Sequence, residues 1–255
     1  MGAFAPWATL ASLHPVTTQL PESIPASPRL WALLPCAGNG SRSGAAGPKQ
    51  YQPVAGQPMV LHTLAAFAAV PRLAGVLVVV SAGDSFFADH TAQSGASVLV
   101  ADCGGSTRAA SVLNGLSALL DRGAEPEDWV LVHDAARCLI TAQQVDSLID
   151  ACLPDPVGGL LALKLPDTLK REVDGRVAQT VDRSDKWLAQ TPQMFRLGAL
   201  RSALLAAGDA VTDEASAMEL AGHAPLLVQG SAQNFKVTYP QDFALAEAVL
   251  CSRES

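Results

Sequence analysis

From residue 30 onward, short apolar runs alternate with stretches whose apolar residues recur at helical spacing. Residues 30–34 read as a buried strand. Residues 58–69 read as a helix that starts on a proline and carries Leu61, Leu64 and Ala68 on one face. The run 75–81, GVLVVVS, is apolar on both of its alternating faces, as expected of a central parallel strand. The pattern then predicts a helix over 84–93, a strand over 97–100, and a helix over 108–120 with Val112, Leu116 and Leu119 aligned. A strand over 129–133 ends at Asp134, a helix over 141–152 begins on the N-cap candidate Thr141, and a strand follows over 159–165.

Such alternation predicts a doubly wound, mostly parallel twisted sheet, with its ligand site at the carboxyl ends of the strands. The loops after Leu34, Val100, Val132 and Leu165 should then share one edge, and they carry most of the unusual polar residues. The segment 164–195 breaks the rhythm. Its LKREVDGRVAQTVD reads as two strands turning at Asp174-Gly175, a β-hairpin inserted into the α/β pattern. Helices near 197–207 and 213–221, strands at 226–229 and 235–237, and a last helix from Pro240 complete the chain.

Composition narrows the partners. The 255 residues suit one large α/β domain or two small ones. A net charge of −7 argues against nucleic acid as the main partner, so any anion site must be a local basic cluster. No apolar run is long enough for a membrane span. Five cysteines without CxxC spacing indicate a reducing, cytoplasmic setting rather than a disulfide framework or zinc site. Residues 1–29 are charged only at Glu22 and Arg29 and are broken by five prolines, which reads as a flexible leader ahead of a single domain over 30–252.

Several loops carry candidate chemistry. LLPCAGNGSRSGAAGPKQY at 33–51 combines a glycine-rich main-chain cradle with two cations, Arg42 and Lys49. Its spacing is neither that of a dinucleotide fingerprint nor that of a Walker A loop. By itself it serves equally as an anion cradle or a surface turn. In VLVHDAAR, 130–137, Asp134 closes a buried strand, where it is either a Mg²⁺ contact or a turn cap. His133 reads as structural. CGGSTRAASVLNGL, 103–116, offers backbone amides, Ser111 and Arg108 at a helix start. Lys170, Arg183 and Lys236 are further phosphate-binding candidates or solvated charges.

Taken together, PCAGNGSRSG…PKQY, GGSTRAASVLNGL, VHDAAR, DTLK, TVDR, TPQMF, TDEASAMEL and NFKVTYPQDFALAE resemble the 2-C-methyl-D-erythritol 4-phosphate cytidylyltransferase family. The resemblance runs from about residue 30 to 250. It implies a Rossmann-like nucleotidyltransferase fold that transfers the cytidylyl group of CTP to methylerythritol 4-phosphate, with release of pyrophosphate, in non-mevalonate isoprenoid precursor synthesis. It also implies a Mg²⁺ requirement and a homodimer, with an inserted dimerisation arm at about 166–190.

Residue by residue, the resemblance places Arg42 and Lys49 on the CTP phosphates, and Asp134 on the metal. It lines the nucleotide pocket with Ala37, Gly38, Gly40, Gly105, Ser106 and Ser111. It assigns Thr168, Arg183, Thr191, Thr212, Asp213 and Lys236 to the methylerythritol phosphate, with Arg183 and Lys236 joining Arg42 and Lys49 in the catalytic set. Cys36 and Cys138 depart from the Ala and Pro usual in the family, and Ser106 stands where an acid is frequent. The same charges would serve a cytidylyltransferase for another polyol phosphate, such as ribitol 5-phosphate. A catalytically silent CTP-binding protein is the alternative outside enzymes, although Arg42, Lys49 and Asp134 are all retained.

Overall fold

The computed structural model describes residues 27–38, 47–88, 90 and 98–253. Residues 1–26, which hold most of the expected leader, lie outside these, as do Gly40 and Arg42. Just ahead of the first strand, Arg29 is fastened to Asp128 through its backbone N–H at 2.8 Å and its guanidinium at 2.9 Å.

The core is a seven-stranded sheet. Its strands are β1 (Leu30–Pro35), β4 (Leu73–Val79), β5 (Val98–Ala101), β6 (Trp129–Val132), β7 (Gly158–Lys164), β10 (Trp187–Arg196) and β11 (Leu226–Gln229). Their order is β11-β7-β10-β6-β1-β4-β5. β1 runs parallel to β4 on one side and to β6 on the other, so the order reverses around it. A doubly wound sheet opens its ligand crevice at such a reversal, beyond the strands' carboxyl ends. β10 is the exception to parallel order, being antiparallel to both β6 and β7.

Alternation along β1 sends Leu30, Ala32 and Leu34 to one face and Trp31 and Leu33 to the other. The first set packs with Leu64 and Phe67 of α1 (Met59–Ala68) and Val145 and Leu148 of α3 (Ala142–Cys152). The second packs with Val112, Leu116 and Leu119 of α2 (Arg108–Asp121), Leu200 of α4 (Leu197–Ala207) and Met218 of α5 (Glu214–Leu220). Each such side chain, fully buried, contributes about 1.5–3 kcal/mol. Thr141 caps α3 in a reciprocal box with Gln144. A third cluster joins the short hairpin β2 (Pro53–Val54) and β3 (Gln57–Pro58) to the last helix, α6 (Pro240–Arg253), through Val54, Val237 and Ala246.

The inserted hairpin is β8 (Leu169–Val173) and β9 (Arg176–Val181). It turns on Asp174 at φ 50° and Gly175 at φ 74°, the two left-handed positions of a tight hairpin turn. β8 and β9 pair with each other and not with the main sheet, and pairing to the main sheet resumes at Trp187.

Two expected elements differ. The described part of 84–93 holds only a 3₁₀ turn at Phe86–Ala88, whose aromatic residues stack on neighbours instead of continuing a helix. Residues 235–237 form no strand and pair with none among the described residues; Val237 N–H donates to the Ala136 carbonyl at 2.8 Å.

Candidate active site

The main cleft, of about 560 Å³, opens beyond the carboxyl ends of β1, β4 and β6. One wall carries Ala37, Gly38, Lys49 and Gln50; the other carries Gly105, Ser106, Thr107, Arg108 and Ser111; Asp134, Ala135 and Lys236 lie between them. The 3₁₀ turn Lys49–Tyr51 is held in place through its own side chains. Gln50 Nε2 donates to the Cys36 carbonyl at 2.5 Å, and Tyr51 Oη donates to Asp84 at 2.7 Å while its ring stacks on Phe86. Lys49 Nζ then reaches the Val237 carbonyl at 2.7 Å.

The opposite wall depends on a close backbone approach. A Cβ on Gly104 would lie 2.3 Å from Ala37 Cβ and 2.8 Å from the Val80 carbonyl oxygen, so only glycine fits there. Gly105 N–H donates to Ser111 Oγ at 3.0 Å, and Thr107 caps α2 by accepting from Ala110 N–H at 3.0 Å. Two main-chain segments, 37–38 and 105–107, thus both line the cleft and meet where Gly104 packs on Ala37.

Three charges stand where the walls meet, tied to a fourth behind them. Arg108 Nε donates to Asp134 Oδ1 at 2.7 Å, and its two terminal nitrogens donate to Glu214 at 2.7 and 3.0 Å. Lys236 Nζ donates to Asp134 Oδ2 at 2.7 Å. Burial pushes the Asp134 carboxyl up, but the nearby Arg108 and Lys236 outweigh it and hold the group well below the usual carboxylate range. Burial likewise opposes the charge on Arg108, and Glu214 and Asp134 more than restore it. Asp134 is therefore an anion at any working pH.

A smaller opening of about 230 Å³ adjoins the first and shares Arg108, Asp134 and Lys236 with it. Arg137, Ala189, Gln190, Thr191, Gln193, Thr212 and Asp213 complete its lining. Asp134 N–H donates to Thr191 Oγ1 at 3.1 Å, and Thr191 Oγ1 lies 3.1 Å from His133 Nδ1. His133 Nε2 faces the Arg137 carbonyl at 3.2 Å, which assigns the proton to Nε2 and makes Nδ1 the acceptor for the threonine hydroxyl. Burial pushes this imidazole down to about 4, so it stays neutral.

The Thr191 hydroxyl proton is thereby committed to His133, while its oxygen keeps acceptor capacity. Asp213 is similarly occupied: its carboxylate caps α5 by accepting from Ser216 N–H at 3.0 Å and also accepts from Gln193 Nε2 at 2.9 Å. Arg137 donates to the carbonyls of Asn234 and Ala189, and its buried Nε has no partner among the described residues.

The sequence candidates thus divide. Ala37, Gly38, Lys49, Gly105, Ser106, Ser111, Asp134 and Lys236 come together around the main cleft. Thr191, Thr212 and Asp213 line the smaller one with Lys236. Thr168 and Arg183 do not join them. Both are exposed beside the hairpin arm, where Arg183 donates to the Pro166 carbonyl. Arg42 and Gly40 lie outside the described residues.

The sequence marks neither Arg137 nor Glu214 as a site residue, and Arg108 only as one more cation. A pairing of Arg137 with Asp134 would suit a surface cap, but Asp134 instead takes Arg108 and Lys236. The visible signal for Glu214 was an acid in the first turn of a helix, which ordinarily means only a favourable helix-end charge.

A large polar cleft at the sheet reversal, lined by two main-chain segments and an anionic carboxylate among cations, is a setting that suits a nucleotide and its phosphates. Comparison with known proteins makes the assignment particular. The family model described as IspD, 2-C-methyl-D-erythritol 4-phosphate cytidylyltransferase, matches residues 30–252. The chain is 71% identical over 238 residues to a bifunctional IspD/IspF enzyme of Albidiferax ferrireducens, covering 92% of this chain and spanning 57% of that protein's length. It is 57% identical over 229 residues to the 2-C-methyl-D-erythritol 4-phosphate cytidylyltransferase of Paraburkholderia phytofirmans, covering 87% of this chain and 96% of that one.

A crystal structure of a 4-diphosphocytidyl-2C-methyl-D-erythritol synthase superposes with a TM-score of 0.78 at 40% identity, covering 88% of this chain and 100% of that one. The chain belongs to the 2-C-methyl-D-erythritol 4-phosphate cytidylyltransferase family. It is accordingly a cytidylyltransferase that joins the cytidylyl group of CTP to 2-C-methyl-D-erythritol 4-phosphate and releases pyrophosphate, a step of isoprenoid precursor synthesis.

Proposed function

We propose that the two openings are the two substrate sites of this reaction. CTP occupies the larger one, methylerythritol phosphate the smaller, and their phosphates meet over Asp134 and Lys236. The observation that carries this reading is the shared lining: Arg108, Asp134 and Lys236 belong to both openings.

The acceptor phosphate loses its second proton near pH 6 and is already a nucleophile at neutral pH. Its oxygen attacks the α-phosphorus of CTP, a new P–O bond forms, and the bond to the bridging oxygen of pyrophosphate breaks. No side chain has to remove a proton. The work left to the protein is bringing two polyanions together and stabilising charge on the departing pyrophosphate. Lys49 and Lys236 supply fixed cations for this, with Arg42 and Arg183 assigned to the same task. Ala37, Gly38, Gly105, Ser106 and Ser111 provide the polar edges around the base.

Among the described residues no three His, Cys, Asp or Glu side chains cluster as a metal cage. One ionised carboxylate in a phosphate-sized cleft suits Mg²⁺, which binds readily through one or two carboxylates with substrate phosphates and water. Asp134 would hold it, and the ion when bound would offset phosphate charge near the α-phosphorus.

Thr168 and Arg183, exposed beside an arm that leaves the sheet, are read as reaching the smaller opening of a second copy in a homodimer. A cytoplasmic setting completes the reading, supported by thiols at Cys36, Cys103, Cys138 and Cys152 and by the absence, among the described residues, of a helix long and apolar enough to cross a membrane.

A pyrophosphate-release assay with CTP and Mg²⁺ tests the proposal, with methylerythritol 4-phosphate and ribitol 5-phosphate compared as acceptors. Release with the first and little with the second is expected. Preference for ribitol 5-phosphate, or CTP binding without release, would contradict it.

A further inference from the structure

Glu214 is the member of the ion cluster that lines neither opening. It is fully buried at the first residue of α5, and both of its carboxylate oxygens are taken by the terminal nitrogens of Arg108. Arg108 stands at the junction of the two openings, yet its donor fork is committed to this carboxylate and its Nε to Asp134. A guanidinium fork matches phosphate as well as it matches carboxylate. Released at this junction, it would be a strong ligand for any phosphate there. Such a ligand would grip the triphosphate and the pyrophosphate product as firmly as the transition state, and uniform binding of that kind does not speed turnover.

We propose that Glu214 is a positioning residue: it withholds Arg108 from the substrates' phosphates and holds it against Asp134, fixing that carboxylate's orientation. Asp134 is then oriented from three sides, by Arg108 on Oδ1, Lys236 on Oδ2 and Thr191 at its backbone N–H. Only Arg108 among the three is itself anchored by a second, fully buried charge. The proposal rests on the reading that the larger opening takes the triphosphate.

The test is pyrophosphate binding to the full chain by calorimetry, without metal, together with steady-state turnover. Glu214→Gln keeps the shape of the side chain, removes its charge and leaves one acceptor for two donors. The pyrophosphate Kd should fall about tenfold through the added positive charge, while kcat falls about tenfold or more through loss of Asp134 orientation. Damaged packing alone would weaken pyrophosphate binding or leave it unchanged, so the sign of the shift separates the two explanations.

Adding Arg108→Gln removes the released cation and should return the Kd to the wild-type value or above it. An unchanged or higher Kd in a cooperatively melting Glu214→Gln variant overturns the proposal. If that variant does not fold, Glu214→Asp is read in the same way. It keeps the charge but is one methylene too short to hold both nitrogens, so tighter pyrophosphate supports the proposal and unchanged or weaker binding overturns it. A wild-type chain that binds no pyrophosphate would overturn the reading of the larger opening, and this inference with it.

Discussion

Lys49 and Val237 are joined by one hydrogen bond of 2.7 Å across 188 positions of the chain. The bond runs from a side chain at the start of the domain to the backbone of the segment that carries Lys236. It brings the two lysines of the main cleft to one place. Replacing Lys49 with Ala should therefore do more than remove a charge. Turnover is expected to fall by roughly 10²-fold or more, the scale of one lost transition-state donor. A steady-state pyrophosphate assay checks it, and near-normal turnover would remove Lys49 from the catalytic set.

Arg183→Ala should act on the acceptor side, raising KM for methylerythritol phosphate and lowering kcat with little change in CTP binding. If Arg183 serves a second copy, two inactive variants should rescue each other. Mixing and re-associating Lys49→Ala with Arg183→Ala chains would restore one intact site in each mixed dimer, or about a quarter of all sites for random C₂ pairing. No regained activity in mixtures shown to exchange subunits would contradict the crossing arm.

Gly104→Ala tests the meeting of the two main-chain segments. The added methyl would collide with Ala37 Cβ and the Val80 carbonyl, just beyond the carboxyl ends of β1 and β4. The variant should lose about 1–3 kcal/mol to overpacking and bind CTP more weakly. Denaturant titration and CTP calorimetry measure the two effects; unchanged values in both would mean that the wall yields.

His133 gives a pH signature. Its imidazole titrates near 6.5 in the unfolded chain and is pushed down to about 4 by burial in the native one. Between these values the unfolded chain binds the extra proton, so this residue's contribution to stability is full above about pH 6.5 and is lost as the pH falls toward 4. The loss amounts to about 3 kcal/mol. His133→Asn retains an acceptor toward Thr191 and cannot titrate, so its stability should fall less over that range. Urea titrations at several pH values decide it, and parallel curves for the two proteins would refute the assignment.

Much of the fold was legible because its strands are apolar on both faces, as in Val76–Val79, and its helices carry aligned leucines, as in α2. β10 was not legible. Its stretch Gln190, Thr191 and Gln193 reads as a polar loop, although all three residues are buried. They lie inside because each polar group has a distant partner: Ser231 for Gln190, His133 for Thr191, Asp213 and Ala215 for Gln193. No local pattern reports such partners. The charges proposed to face phosphate stand out in the sequence as isolated cations, as Arg42 and Lys49 do in a glycine-rich loop. Glu214 did not, because its meaning comes from an arginine 106 positions away.

Arg108, Lys236, Asp134 and Glu214 carry two charges of each sign and sum to zero. This four-charge cluster is therefore its own electrolyte: ions that solution would otherwise have to lend are tethered to the backbone. Added salt should act on this protein chiefly by competing with incoming substrates, and much less by loosening that cluster.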